Sequence, residues 1–250
     1  LPFLFHVNHP VLPGFVAKDS PCGIASYQPS RRSLGAVARV ARSYDHRRHS
    51  VRQRDIDALF LMGSVGSVAY SRHSDFDVWL CHREDLPADA VALLQEKARK
   101  VSAWAAEVGL EVHFFVLTAA EIRAGHLSTL SEESSGTAQR HLLLDEFYRT
   151  ALLVAGRYPL WWLVPPEREE GYDEHGSRLL QQRFVRVADV LDFGGLARLP
   201  SNEFFGASLW QLYKAISSPY KSMLKILLLE AYASEYPRIR LLSHTYKEDI

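Results

Sequence analysis

Five consecutive apolar residues, Ala58-Leu59-Phe60-Leu61-Met62, run straight into Gly63-Ser64, and eleven positions after Ser64 the chain returns as Asp75-Phe76-Asp77-Val78-Trp79-Leu80-Cys81. A short apolar run stopped by glycine is the pattern of a buried strand entering a turn. In the returning segment the two carboxylates stand two residues apart, and side chains alternate faces along a strand, so Asp75 and Asp77 share one face of a second strand. Residues 87–108 then place Val91, Leu94, Ala98, Val101, Trp104, Ala105 and Val108 at three- and four-residue spacing. This predicts an amphipathic helix that Gly109 stops, and residues 111–117 read as another strand. Strand, Gly-Ser turn, strand, helix, strand is an α/β (α+β) order with a small mixed sheet and flanking helices.

The remainder of the chain is organised around this unit. Residues 1–33 are rich in Pro, Gly and Asn and read as an irregular arm that wraps a domain. Residues 31–54 are densely basic, with Leu34, Val37, Val40 and Ala41 at helical spacing, and predict an amphipathic helix followed by a solvated loop. After residue 118 the pattern predicts a short helix and a polar loop at 128–136, a helix at 139–153, a short strand at 160–164 and an acidic loop at 167–176. Helices follow at 179–190, 208–217 and 220–236. The division expected is an arm and basic helix (1–54), a sheet domain (55–165) and a mainly helical second domain (166–250).

Composition narrows the classes of function. Lys+Arg and Asp+Glu are both 29, so no global field draws the chain to nucleic acid or an anionic membrane, and no nucleic-acid partner is expected. The most apolar stretches, 150–166 and 216–233, are broken by Arg157 and by Lys221 and Lys225, which leaves no membrane span. No signal peptide is read at residues 1–15. Two cysteines, Cys22 and Cys81, make neither a disulfide framework nor a metal-ligand spacing and fit a reducing, cytoplasmic setting.

Chemistry concentrates at the Gly-Ser turn and the paired acids. Gly63 lets backbone approach a ligand closely, and the Ser64 hydroxyl with nearby N–H groups can cradle phosphate oxygens. Two carboxylates roughly twice the 3.3 Å strand rise apart form an oxygen-only set suited to Mg²⁺, which fills its shell from water and substrate phosphates. Glu111 begins the third strand on the same face as His113 and Phe115. It is the candidate third ligand or general base, its other reading being an exposed strand-edge acid, and His113 is the alternative base or a structural histidine. Lys214, Lys221 and Lys225 lie on helices of the second half, the last two on one helix face. The pair Asp145-Glu146 reads as a surface or ion-paired site.

The string Gly63-Ser64, spacer, Asp75-Phe76-Asp77 resembles the polymerase-β-type nucleotidyltransferase superfamily. Longer strings are similar to the class I adenylate cyclases of gamma-proteobacteria: Met62-Gly63-Ser64-Val65-Gly66-Ser67, Ser74 to His82, Leu142 to Thr150, Phe205 to Lys214, and Ser218-Pro219-Tyr220-Lys221. The resemblance runs from His6-Val7-Asn8-His9-Pro10 to Arg240-Leu241-Leu242. It implies a nucleotidyltransferase fold and conversion of ATP to 3′,5′-cyclic AMP and pyrophosphate in the bacterial cytoplasm. Two Mg²⁺ ions, with Mn²⁺ able to substitute, would be held by Asp75, Asp77 and Glu111. The nucleotide would lie in a cleft between the domains, contacted by Gly63, Ser64, Ser67, Lys214, Ser218, Tyr220 and Lys221, with Ser217 in the same element and Lys221 on the β- and γ-phosphates. The family also carries a following regulatory region tied to the sugar phosphotransferase system, and that region is expected to be absent from these 250 residues. The alternatives are a nucleotidyltransferase acting on RNA or a small molecule, and a nucleotide-binding regulatory module without turnover.

Overall fold

A computed structural model describes residues 1–46, 54–66, 70, 74–126, 139–216 and 218–249. The chain divides into two compact units that interleave in sequence. The first comprises 1–119, 151–158 and 186–191, and the second 120–150, 159–185 and 192–250.

The first unit is built on a four-stranded sheet. Strands β1 (Ile56–Met62), β2 (Phe76–His82), β3 (Val112–Leu117) and β4 (Leu152–Gly156) lie in the order β3-β2-β1-β4. β1 is antiparallel to both β2 and β4, whereas β2 and β3 are parallel. Parallel neighbours need a long crossover, and helix α3 (Ala88–Glu107) supplies it. The mixed sheet, its helical crossover and the positions of β1, β2 and β3 along the chain match the order read from the sequence. α3 buries Leu94, Ala98, Val101 and Ala105 against one sheet face, where Leu59, Val78, Leu80, Val112 and Val116 meet them. Gly109 adopts φ +79 just past the end of α3 and turns the chain toward β3.

The N-terminal arm belongs to this core. Helix α1 (Pro2–His6) buries Phe3, Leu4 and Phe5, and Ile24 bridges to Ile56 at the start of β1. Nδ1 of His6 accepts the Ile24 N–H at 3.1 Å, so the arm is tied by a neutral imidazole. Burial, with Arg54 and His46 nearby, depresses the His6 pKa to about 4. Lys97 of α3 is also enclosed, its Nζ 3.4 Å from the Val7 carbonyl and its pKa pushed down to about 8 by burial. Helix α2 (Arg31–Val40) is amphipathic as expected, capped by Ser30 Oγ accepting the Ser33 N–H, with Val37 buried and its arginines outside. Arg47, Arg48 and Arg52 of the basic stretch lie outside the described residues.

The second unit is mainly helical, as the sequence predicts, but several boundaries differ. Helix α4 is Ala119–Ala124, and the polar loop expected at 128–136 lies outside the described residues. Helix α5 (Arg140–Thr150) ends before β4, so the apolar residues read as its continuation form a sheet strand instead. Residues 160–163 form a 3₁₀ turn rather than a strand, because Pro159 and Pro165 bracket them. Helix α6 (Tyr172–Gln181) occupies part of the segment read as an acidic loop, seating Gly176 against Leu160. Helices α7 (Ser201–Lys214), α8 (Pro219–Glu235) and α9 (Leu242–Glu248) complete the unit, with α7 packed on α8 and α9 on α5. At its centre Tyr148 stacks on Trp161 with ring centroids 4.2 Å apart and planes at 9°. No described helix is long and apolar enough to cross a membrane.

Candidate active site

Register fixes which side chains meet at one end of the sheet. Asp77 of β2 is level with Met62 on one side and His113 on the other. One step earlier along the parallel pair, Phe76 is level with Val112 and its N–H donates to the Glu111 carbonyl at 2.9 Å. Asp75 and Glu111, which precede these two strands, are thereby neighbours, and Asp75, Asp77, Glu111 and His113 project from the face opposite α3. The face toward α3 takes Phe76, Val78, Val112 and Phe114.

Within this set, ligand atoms of Asp75, Glu111 and His113 all lie within 4.8 Å of one another, and all three residues are exposed. His113 Nε2 is 3.3 Å from Glu111 Oε1. Asp77 sits one pleat further along. Its Oδ2 lies 3.7 Å from where a Cβ on Gly63 would be, and Gly63 holds φ +76. That conformation favours glycine, and it lets the backbone leave β1 beside the Asp77 carboxylate without a side chain in the way.

Hard oxygen donors with one imidazole fit a divalent cation of the Mg²⁺ or Mn²⁺ type. Asp75 and Glu111 supply carboxylate oxygens, and the hydrogen-bonded His113 aims the Glu111 carboxylate. The trio brought together is therefore Asp75, Glu111 and His113, with Asp77 adjacent to it. The sequence expectation was Asp75, Asp77 and Glu111, with His113 only as an alternative.

The other expected residues are distributed as follows. Ser64 opens the 3₁₀ turn Gly63–Gly66 with Gly63, and Ser67, His73 and Ser217 lie outside the described residues. Lys214, Ser218, Tyr220 and Lys221 belong to the second unit, at the end of α7 and the start of α8. Tyr220 and Lys221 are exposed, and Lys214 Nζ lies 5.2 Å from the Trp210 ring centroid. Lys225 is engaged in an ion pair, 3.1 Å from Glu146. Burial disfavours the Glu146 charge, but Lys225, Arg149 and Lys221 outweigh it and hold the carboxyl below its ordinary range. Asp145 is interior, accepting from Tyr232 Oη at 2.9 Å and from the Ser243 N–H at 3.1 Å. Cys81 is fully buried, and that burial raises its thiol well above the usual range.

Comparison with known proteins adds a family. The model for "Adenylate cyclase NT domain" matches residues 1–162, and that for "Adenylate cyclase, class-I, second domain" matches residues 199–250. The chain is 41% identical over 261 residues to a Pasteurella multocida protein named adenylate cyclase, covering 100% of this chain and 30% of that one. It is 42% identical over 250 residues to the Escherichia coli K12 protein of the same name, covering 99% of this chain and again 30% of the relative. These 250 residues thus span about 30% of the length of the curated relatives they match. Among solved structures, a spectinomycin adenyltransferase from Enterococcus faecialis with ATP and spectinomycin superposes at a TM-score of 0.32 and 15% identity, covering 78% of this chain and 90% of that one. That superposition is too loose to align one site on the other.

Proposed function

The chain belongs to the class-I adenylate cyclase family, and on that premise we propose that it converts ATP to 3′,5′-cyclic AMP and pyrophosphate at the acidic end of β2 and β3. The observation that carries this reading is the convergence of Asp75, Glu111 and His113 within 4.8 Å, beside Asp77 and the open backbone of Gly63. An exposed acidic row is poorly suited to hold polyphosphate by itself, since like charges repel. It becomes suited once divalent cations stand between the two. Two Mg²⁺ ions, or Mn²⁺ in their place, would be held by Asp75, Asp77 and Glu111, offset charge on the phosphates and make the ribose 3′-hydroxyl more acidic.

The chain's own residues then have defined tasks. Gly63 and the following turn bring backbone N–H groups toward phosphate oxygens, with the Ser64 and Ser67 hydroxyls as further contacts. Glu111 takes the proton from the 3′-hydroxyl, and His113 positions that carboxylate through the 3.3 Å contact. The 3′-oxygen bonds to the α-phosphorus as the bond from that phosphorus to the bridging oxygen breaks, and pyrophosphate leaves with the electron pair. Lys221, then Lys214, are the proposed cations for the β- and γ-phosphates, and Ser218 and Tyr220 the proposed nucleotide contacts. Their residue types and their likeness to the family strings support this role. In the same reading, residues 1–54, 55–165 and 166–250 serve as arm, catalytic region and clamp. The cytoplasm is the setting, and regulation through the sugar phosphotransferase system acts via a further region.

The test is incubation with ATP labelled at the α-phosphate, with Mg²⁺ or Mn²⁺, beside Asp77→Asn. Label in cyclic AMP for the wild type alone supports the reading. Label passed to an added RNA or small-molecule acceptor would replace the cyclase by a transferase.

A further inference from the structure

Exposed apolar side chains concentrate toward the C-terminal helices of the second unit among the described residues. Of the twenty large apolar side chains exposed among the described residues, twelve lie between Phe205 and Tyr246. They are ordered. Phe205, Leu209, Leu212 and Ile216 follow one another at spacings of four, three and four, with relative exposures of 71%, 52%, 60% and 84%. Ile216 falls just past the end of α7, where Ala215 still holds helical angles. On α8, Leu224 and Leu227 are 64% and 55% exposed. Other positions of the same helices, Ala207 on α7 and Leu229 and Tyr232 on α8, are buried.

Spacing of four and three residues is the seam by which one helix packs on another. From Phe205 to Ile216 it forms a ridge roughly 16 Å long at 1.5 Å per residue. Contiguous apolar patches of this kind mark a surface made to be covered. Two findings bear on the occupant. The second-domain family model matches residues 199–250, the stretch that carries α7, α8 and α9, whereas the N-terminal model ends at 162. The curated relatives are more than three times as long as the matched region. Most of the length those relatives carry thus lies outside the matched region, and the apolar ridge belongs to the part assigned to their second domain.

We propose that the exposed ridge of α7, continued on α8, is the docking surface for an amphipathic helical segment of the second domain that the longer relatives carry beyond the region matched here. The proposal is independent of the chemistry at the acidic row. The occupant presents apolar residues at the same four-three spacing, because the ridge of one helix seats in the grooves of another.

Hydroxyl-radical footprinting tests it on two proteins: these 250 residues, and the full-length Escherichia coli relative with its matched portion replaced by them. Labelling of Leu209, Leu212, Ile216 and Leu224 is expected to fall at least threefold in the long chain, and Leu212→Lys with Ile216→Lys to restore it at Leu209 and Leu224. If the lysine pair prevents folding, Leu212→Ala with Ile216→Ala serves the same purpose. Equal labelling in both proteins overturns the proposal. So does a 250-residue chain that sediments as a dimer with these residues already protected, since a second copy then covers the ridge.

Discussion

One group of acidic side chains in each unit stands in surroundings opposite to the other's. In the first, Asp75, Glu111 and His113 stand exposed at a sheet end, and the contact between Glu111 and His113 is 3.3 Å long. In the second, Asp145, Glu169 and Glu203 are each less than 5% exposed and accept hydrogen bonds, on both oxygens of Asp145 and Glu203 and on Oε1 of Glu169. Glu203 accepts the His141 and Leu142 N–H groups at 3.1 and 3.0 Å and lies 2.6 Å from His141 Nδ1, capping α5 from a distant helix. Glu169 accepts from Trp161 Nε1 at 2.9 Å and from the Leu196 N–H. A buried carboxylate survives only when hydrogen bonds replace its lost hydration, and its removal then damages the fold. An exposed cluster of acids returns little to stability, and the proposed function assigns this one to cation binding. Position in sequence does not separate the two kinds of acid, but partners do.

That contrast breaks if the wrong set governs activity. Asp75→Asn is expected to lower turnover by about a thousandfold, on the order of 4 kcal/mol of barrier, while the melting temperature stays within a few degrees. Steady-state rates with a thermal melt check both halves. Glu203→Ala is expected to do the reverse, costing about 2–3 kcal/mol of stability by uncapping α5, as urea unfolding would record.

Two buried bases of the first unit sharpen the comparison further. His6 has a folded pKa of about 4 against 6.5 in an unfolded chain. Between those values the unfolded chain binds the proton more readily, so stability present above pH 6.5 is lost as pH falls toward 4, by about 2–3 kcal/mol. Denaturation followed from pH 7 to 4 should show that slope, and His6→Gln should flatten it. Lys97 is buried with its pKa near 8, so it enters the core charged at neutral pH. Lys97→Met is expected to stabilise by on the order of 1 kcal/mol at pH 7. The gain should shrink as pH rises from 8 toward 10.5, where the folded lysine has lost a proton that the unfolded one keeps.

The central sheet was legible because its signals are local. Ala58 to Met62 is apolar throughout and ends at Gly63, α3 carries a regular apolar stripe, and Gly109 marks its end. β4 was not, because Leu152–Gly156 continues the apolar pattern of α5 and becomes a strand only by pairing with β1, nearly a hundred residues away. Residues 172–176, the first half of α6, read as loop because Gly171, Gly176 and the acids mask a helix whose burial rests mainly on Tyr172 and Gly176. At the site, Asp75 and Asp77 announce themselves by alternation. The partnership of His113 with Asp75 and Glu111 arises from β2 and β3 being parallel neighbours, which no local spacing encodes. Lys97 was hidden for a similar reason, since only the packed arm encloses it.

The most direct measurement of the central claim is anomalous diffraction from crystals holding Mn²⁺ and a non-cyclisable ATP analogue. Manganese peaks are expected bounded by carboxylate oxygens of Asp75, Asp77 and Glu111, with the analogue's phosphates on the side of Gly63. Manganese and phosphates bound elsewhere, with this acidic row facing only solvent, would contradict it.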